Sequence, residues 1–328
     1  MEFSLDLYNF ANKCTYKYIS TPMPILTNNT LNINIMKKFL LMAVAAVAMW
    51  ATACTKDNDA VEPVEQTSEI TFTISTIEYI TRAEFGKGEQ ATDLYWAVYD
   101  HNTKQPLFKS ETPEKMTNLT AQVVIPFVNG MSYDVLFWAK NEAAPYNVAW
   151  ETATMAYKAD ATLYANQESY DAFFCYHKVG LVSGPVTQDI KLKRPFAQVN
   201  IATADHSTAN FTVTESKVTV KDVYSAFNLR DGVVMGTKAP LTLNYGTKPD
   251  GTITLDSKTF DLLAVNYLLV DKDKTAIDIT MDCKDASNNV KSLTYSAVPV
   301  QQNYKTNIVG NLLSSSSSSS AKATIELQ

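Results

Sequence analysis

The 328-residue sequence holds few of the side chains that build metal sites. Its three histidines, His101, His177 and His206, lie far apart, and neither a CxxC nor an HExxH spacing occurs. Such closely spaced ligands are the usual sequence signature of a zinc site. The acidic stretch 271–282 has Lys274 where a calcium ligand is required, and it lacks the glycine of a calcium loop. We therefore expect no metal and no cofactor.

Catalytic signatures are missing as well. The sequence contains no GxSxG nucleophile elbow, no phosphate-binding loop and no GxGxxG dinucleotide fingerprint. Carboxylates are abundant, but the sequence alone does not pair two of them across a cleft as a glycosidase would require. We therefore expect that the protein is not an enzyme.

No apolar run is long enough to cross a membrane. The longest, residues 39–50, is shorter than the roughly 20 residues that a bilayer requires. It follows Lys37 and Lys38 and precedes the small residues 51–53 and Cys54. This order predicts a secretory signal, residues 36–53. The cysteine resembles that of a bacterial lipobox, in which cleavage before Cys54 precedes acylation of its thiol; the alternative is an ordinary signal followed by an incidental cysteine.

The signal changes how the rest of the chain is interpreted. Residues 1–35 precede a complete signal that has its own methionine, so we expect Met36 to be the true start and 1–35 to be a mis-assigned extension. Without residues 1–53 the formal net charge changes from −6 to −8. A mildly acidic chain argues against nucleic acid as a partner.

Besides Cys54, which would carry lipid, the mature chain holds Cys175 and Cys283, more than a hundred residues apart in apolar surroundings. We expect buried free thiols, and the sequence leaves a disulfide between them open.

After an acidic, proline-containing tether at 54–68, the sequence predicts many short strands. Residues 69–74 alternate strictly, with Ile70, Phe72 and Ile74 on one face and threonines on the other. Further strands are predicted at 94–99, 122–127, 133–139, 189–193, 198–203, 217–220, 241–244, 252–255, 262–270, 276–282, 292–298 and 324–327. One or two helical turns are expected within 152–164.

Short strands separated by turn signals are typical of all-β sandwiches rather than of a parallel α/β sheet. The length suits two β-sandwich domains in tandem, which we place at 69–185 and 186–328. Six residues are predicted to be buried in these domains: Phe72, Val124, Phe137, Val199, Ile279 and Tyr295.

Several motifs resemble those of the fimbrillin-like proteins of Bacteroidota, which are exported lipoproteins and subunits of type V pili. The run 192–205 (LKRPFAQVNIATAD) resembles the strand that opens their second half. Residues 171–174 (DAFF), 267–270 (YLLV) and 303–313 (NYKTNIVGNLL) follow the family order. The resemblance covers essentially the whole mature chain and implies two transthyretin-like, Greek-key sandwiches.

The resemblance also implies how the protein assembles. Fimbrillin precursors reach the outer membrane as lipoproteins, and an arginine-specific protease then removes the first strand. Here the implied cut lies between Arg82 and Ala83, and the plug strand would be the one with Ile70, Phe72 and Ile74. A neighbouring subunit would fill the vacated groove by strand addition. The alternative is that Arg82 merely lies in a surface loop and is never cut.

The C-terminus supplies a candidate donor strand. Seven serines, 314–320, form a solvated linker that could extend about 23 Å at roughly 3.3 Å per residue. In the final strand, Ile325 and Leu327 face one way, and their burial would contribute roughly 3–6 kcal/mol. We expect earlier residues such as Ile308 and Leu312 to help. The alternative is a tail strand that folds back onto its own domain.

The expected function is that of a structural, anchor or tip protein of a type V pilus that mediates adhesion. It would be a surface-exposed outer-membrane lipoprotein in the fimbrium, with pilus subunits, the membrane and surface receptors or glycans as partners. The alternative is a monomeric glycan-binding lipoprotein. That alternative needs solvent-exposed aromatic residues, and the candidates for such a platform are Tyr95, Trp96, Tyr99, Phe137, Trp138 and Trp150.

Overall fold

The computed structural model describes residues 66–76, 88–314 and 323–328. These residues belong to one compact unit, 61–328. Across the described ranges the chain forms strands and one 3-10 turn, Glu168–Tyr170, and the all-β class is confirmed. Cys54, the signal and nearly all of the tether lie outside the described residues.

The strands are numbered in chain order. They are β1 (Thr67–Thr76), β2 (Asp93–Asp100), β3 (Pro106–Lys109), β4 (Glu114–Lys115), β5 (Thr120–Val128), β6 (Ser132–Lys140), β7 (Tyr146–Ala149), β8 (Thr154–Tyr157), β9 (Ala172–Leu181), β10 (Val186–Leu192), β11 (Ala197–Thr203), β12 (Glu215–Val223), β13 (Ala226–Asn228), β14 (Val233–Met235), β15 (Ala239–Thr247), β16 (Thr252–Leu255), β17 (Lys258–Leu268), β18 (Thr275–Lys284), β19 (Val290–Val300), β20 (Lys305–Gly310) and β21 (Ala323–Leu327).

The strands pair into sheets that we name A to E. Their strand orders are β10-β1-β5 in sheet A, β3-β2-β6-β9 in sheet B with β4 beside β2, β14-β13-β8-β7 in sheet C, β16-β17-β11-β20-β21 in sheet D and β15-β12-β18-β19 in sheet E. Neighbouring strands are antiparallel except in two pairs, β1 with β10 and β11 with β20, which are parallel.

Sheets D and E enclose one hydrophobic core. Alternate residues of β11 and β20, such as Val199 and Ile308, meet residues of β12 and β18, such as Val220 and Ile279, and all four are buried. Because side chains alternate across a strand, the other face of β11 is turned away from this core. This other face of β11 contributes Ala202 to a second hydrophobic core.

That second core joins the two halves of the chain. It contains Trp138 and Phe174 from sheet B together with Phe196 and Tyr267 from the C-terminal half. Strand β10 begins at Val186, the first residue of the predicted second domain, yet it pairs with β1. Residues 186–192 are therefore hydrogen-bonded into a sheet of the N-terminal half, while the division into two sandwich domains stays a prediction.

Every strand predicted from the sequence overlaps a strand of the fold. Of the six residues expected to be buried, only Val124 is exposed, at 46%. Val123 faces the core instead, because the two adjacent valines allow either phase and a shift of one residue exchanges the two faces of a strand.

The helical turns predicted within 152–164 are wrong. Residues Thr154–Tyr157 form β8, which pairs with β7 and β13 and buries Met155 completely. Cross-strand packing outweighs local preference in this segment.

Candidate assembly site

Strand β1 carries the three apolar residues of the predicted plug. Ile70, Phe72 and Ile74 are at most 1% exposed, whereas Thr73 lies on the outer face. The strict alternation of the sequence places them on one side of sheet A, which packs against sheet B. Their predicted burial is confirmed.

The ring of Phe72 lies at the centre of this packing. Its centroid is 5.2 Å from that of Phe137 on β6, 6.3 Å from that of Phe127 on β5 and 6.2 Å from the ring of His177 on β9. Tilted and edge-on rings at such separations are favourable arrangements. Phe72 thus connects β1 to the opposite sheet as well as to its own.

Strand β1 is also the middle strand of sheet A. Positions Thr67 to Ser75 pair with β5, and positions Ile70 to Thr76 pair with β10. Its loss would leave two strands with unpaired backbone groups facing each other across a groove. Such edges readily pair with another strand.

The predicted cleavage site, Arg82 and Ala83, lies between the end of β1 and Gly88, outside the described residues. The sequence has only two other arginines, Arg194 and Arg230. Arg194 is buried. Arg230 stacks on the rings of Tyr99 and Tyr176 and donates a hydrogen bond to the carbonyl of Lys104. Both therefore belong to the packed structure.

Gly88 marks where the described chain resumes. It has φ of +78°, and a Cβ there would lie 2.4 Å from the ring of Phe173. Only glycine fits this close approach with a positive φ. Gly88 thus lies directly against the ring of Phe173 in sheet B.

The last strand, β21, folds back onto its own chain as the outer strand of sheet D. Ile325 lies opposite Ile308 of β20 and packs against the first core, and Leu327 lies opposite Thr306. Ile325 and Leu327 are only partly buried. Ile308 and Leu312, which we expected to help a donated strand, are fully buried in the chain's own core instead.

The motifs that resemble fimbrillins meet in one buried polar cluster. The guanidinium of Arg194 donates from Nε and Nη2 to the two carboxylate oxygens of Asp171, each over 2.7 Å. The side-chain oxygen of Asn303 accepts from the backbone N–H of Arg194. Burial, with the charge of Arg194, lowers the pKa of Lys305 to about 8. These motif residues hold together chain segments that are distant in sequence, in line with a role in folding.

A second polar cluster surrounds Asp134, and the positions of its residues in the sequence did not indicate it. Asp134 accepts hydrogen bonds from Tyr176 and Lys104 and contacts Nδ1 of His101 at 2.8 Å. Burial alone would raise the pKa of Asp134, but these hydrogen bonds outweigh it and lower the pKa. A carboxylate that is buried and saturated with partners is poorly placed to act as a base.

The aromatic residues considered for a glycan platform are mostly core residues. Trp96, Tyr99, Phe137 and Trp138 are at most 3% exposed, and Tyr95 and Trp150 pack partly buried against the second core. Among the described residues the exposed aromatic side chains are Tyr164 and Tyr304.

The two cysteines, Cys175 and Cys283, are unpaired thiols, half-buried and buried respectively. Burial raises the pKa of Cys283 to about 12. Within the part of the chain that is described, no three His, Cys, Asp or Glu side chains lie close enough to hold a metal ion. The same residues contain no helix that could span a membrane.

Residues 58–328 match a family of unknown function, DUF6562, and the match covers most of the tether and all described strands. The chain belongs to the DUF6562 family. No curated protein matches this DUF6562 chain.

Among the solved structures that match the DUF6562 chain are fimbrial and adhesin proteins of Bacteroidota. The tip fimbrial protein Mfa3 of Porphyromonas gingivalis, with a C-terminal truncation, matches at 9% identity and a TM-score of 0.46, over 80% of this chain and 99% of that chain. A candidate adhesin of Bacteroides thetaiotaomicron matches at 8% identity and a TM-score of 0.48, over 80% of this chain and 96% of that chain. A fimbrial assembly protein of Parabacteroides distasonis matches at 11% identity and a TM-score of 0.43, over 80% of this chain and 100% of that chain.

Proposed function

We propose that this DUF6562 chain is a structural subunit or an anchor or tip protein of a type V pilus that mediates adhesion. It is exported as a lipoprotein, held at the outer membrane by lipid on Cys54, and assembled by strand exchange after cleavage between Arg82 and Ala83. The observation that carries the proposal is the position of β1. The inner face of this central strand is fully buried, and its only covalent link to the strands that follow is the segment that contains Arg82, so a cut there would free β1 as one piece.

The energetics favour refilling of the groove. Removing Ile70, Phe72 and Ile74 uncovers apolar surface worth roughly 5–9 kcal/mol, at about 1.5–3 kcal/mol for each buried side chain. The backbone groups of β5 and β10 that faced β1 also lose their partners, which adds to the cost of an empty groove. A strand from a second subunit restores backbone pairing and part of the apolar burial.

Strand β21 matches this groove in pattern. Ala323, Ile325 and Leu327 occupy alternate positions, as Ile70, Phe72 and Ile74 do in β1, but with smaller side chains. The donor therefore returns less apolar area than the plug removes, so backbone pairing with β5 and β10 must contribute a larger share of its binding. The burial of Ile308 and Leu312 in their own core limits the donated segment to the residues after Ser314.

The donor role predicts the effect of polar substitutions on β21. Replacing Ile325→Asn and Leu327→Asn together should abolish SDS-resistant oligomers of the surface-exposed protein, because two amides cannot replace the buried apolar contacts. Electrophoresis of unheated outer-membrane fractions measures this. The matched control is Thr324→Asn on the opposite, exposed face of β21, which should assemble normally. A double variant that forms the same oligomers as the wild type would show that β21 is not the donor.

The lipoprotein assignment predicts the effect of removing the Cys54 thiol. Cys54→Ala should prevent incorporation of labelled palmitate and release the protein from the membrane fraction, because no acceptor for the lipid remains. Cys175→Ala, which removes a half-buried thiol of the folded unit, should keep both the label and the membrane association. Palmitate labelling of the Cys54→Ala protein would end the lipoprotein interpretation.

A further inference from the structure

The outer edge of β20 is where the chain's own last strand binds. One side of β20 pairs with β11 and the other with β21, so β21 covers what would otherwise be an open edge of sheet D. An uncovered edge presents unpaired N–H and C=O groups and is a template for another strand.

The contacts of β21 with this edge are specific. Lys305 and Gln328 exchange backbone hydrogen bonds of 2.9 and 2.7 Å, and the amide of Asn307 donates to Oε1 of Gln328 over 3.3 Å. Ile325 packs on Ile308 and the first core. Each of these contacts joins β20 to the terminal segment 323–328. The same segment of an identical chain would make them equally well.

The chain before the serine linker is firmly held. The carboxylate of Asp205, 5% exposed, accepts hydrogen bonds from the backbone N–H groups of Leu313, at 3.2 Å, and Ser314, at 2.7 Å. Thr203 Oγ1 accepts from the N–H of Leu312 over 3.0 Å. Burial alone would raise the pKa of Asp205, but hydrogen bonds from Thr203, Ser314 and Leu313 lower it. Asp205 thus keeps its charge and fixes the point at which the C-terminal segment leaves the fold.

The backbone is thus held by Asp205 at Ser314, the serine linker follows, and the chain ends in the half-buried strand β21. We infer that the β20 edge is a docking surface for the β21 strand of a second copy, so that two uncleaved chains exchange their last strands and form a dimer. The exchanged and folded-back forms have the same strand contacts. Their ratio then depends on concentration and on the linker, as in domain swapping. Such a dimer forms without cleavage at Arg82, because β1 remains in place.

Disulfide capture tests this dimer. Thr306 and Leu327 face each other in the register, and they form a pair without mutual backbone hydrogen bonds, where Cα atoms lie about 4.5 Å apart. Two uncleaved mature chains, each with Cys54→Ala to prevent lipidation, would carry Thr306→Cys and Leu327→Cys respectively. Mixed and mildly oxidised, they should give an intermolecular disulfide between positions 306 and 327, identified by peptide mass spectrometry.

Two controls define the outcome. Both substitutions in a single chain should also give an intramolecular 306–327 disulfide, which confirms the register. A mixture of Thr306→Cys and Thr324→Cys, whose residues lie on opposite faces, should give no cross-link. An intramolecular disulfide in the double variant without any intermolecular one in the mixture would overturn the inference.

A second variant keeps the test decisive if the cysteine chains fold poorly. Deleting 315–320 shortens the linker, so that fold-back from Ser314 becomes difficult while exchange remains open. Sedimentation should show a shift from monomer to dimer relative to the full-length linker at equal concentration. A shortened chain that stays monomeric and folded would contradict exchange at the β20 edge and would leave donation to the β1 groove untouched.

Discussion

Treatment of the uncleaved mature chain with an arginine-specific protease is expected to release β1 and to produce long oligomers of a chain that starts at Ala83. The cut at Arg82 frees the strand that fills the groove between β5 and β10. The vacated groove then binds the last strand of another subunit, because both apolar burial and backbone pairing are regained. Size-exclusion chromatography and intact mass measure the two changes.

Two variants separate cleavage from donation. Arg82→Lys should block the cut and leave the protein at its uncleaved size, since Arg194 and Arg230 are held within the fold. Deletion of 321–328 should permit the cut but prevent long oligomers, since no donor strand remains. Cleaved protein that stays monomeric at high concentration, or a truncated chain that polymerises as well as the wild type, would refute this assembly mechanism.

Phe72→Ala is expected to reduce the free energy of unfolding of the uncleaved chain by about 3–5 kcal/mol. The substitution leaves a cavity between sheets A and B where the ring now packs against Phe137 and Phe127, and large-to-small changes of a buried phenylalanine cost this much. Denaturant titration followed by tryptophan fluorescence measures the change.

Thr73→Ala on the outer face of the same strand is the matched control. It should alter the stability by no more than about 0.5 kcal/mol, as is usual for exposed positions. A Phe72→Ala protein as stable as Thr73→Ala would mean that β1 contributes little to the precursor. In that case its removal would not drive assembly.

The alternating strands were predictable from the sequence because one of their faces is buried and the other is not. Strand β1 is the clearest example, with its apolar residues at every second position. Strand β20 was missed because both of its faces are buried, including the polar residues Thr306 and Asn307, so no alternation is visible. The other strands of sheet D, namely β11, β16, β17 and β21, were all predicted from the sequence.

The polar contacts were beyond the reach of sequence patterns. Asp171 and Arg194 are separated by 23 residues, and nothing local indicates that they pair. Both residues lie in motifs that resemble those of fimbrillins, but the motifs do not show that the two side chains form an ion pair. The anchoring of Leu313 and Ser314 by Asp205 spans more than a hundred residues and depends on the fold of sheet D. The buried and exposed faces of single strands could be predicted from the sequence. The hydrogen bonds between residues on distant segments could be seen only in the structure.

The most direct measurement of the central claim is the N-terminus of the protein on the cell surface, determined by mass spectrometry of the surface-exposed form. Removal of β1 before assembly predicts a chain that begins at Ala83 and lacks both lipid and the plug strand. If every surface-exposed chain instead begins at lipid-modified Cys54 and retains β1, that result would contradict assembly by cleavage and strand exchange.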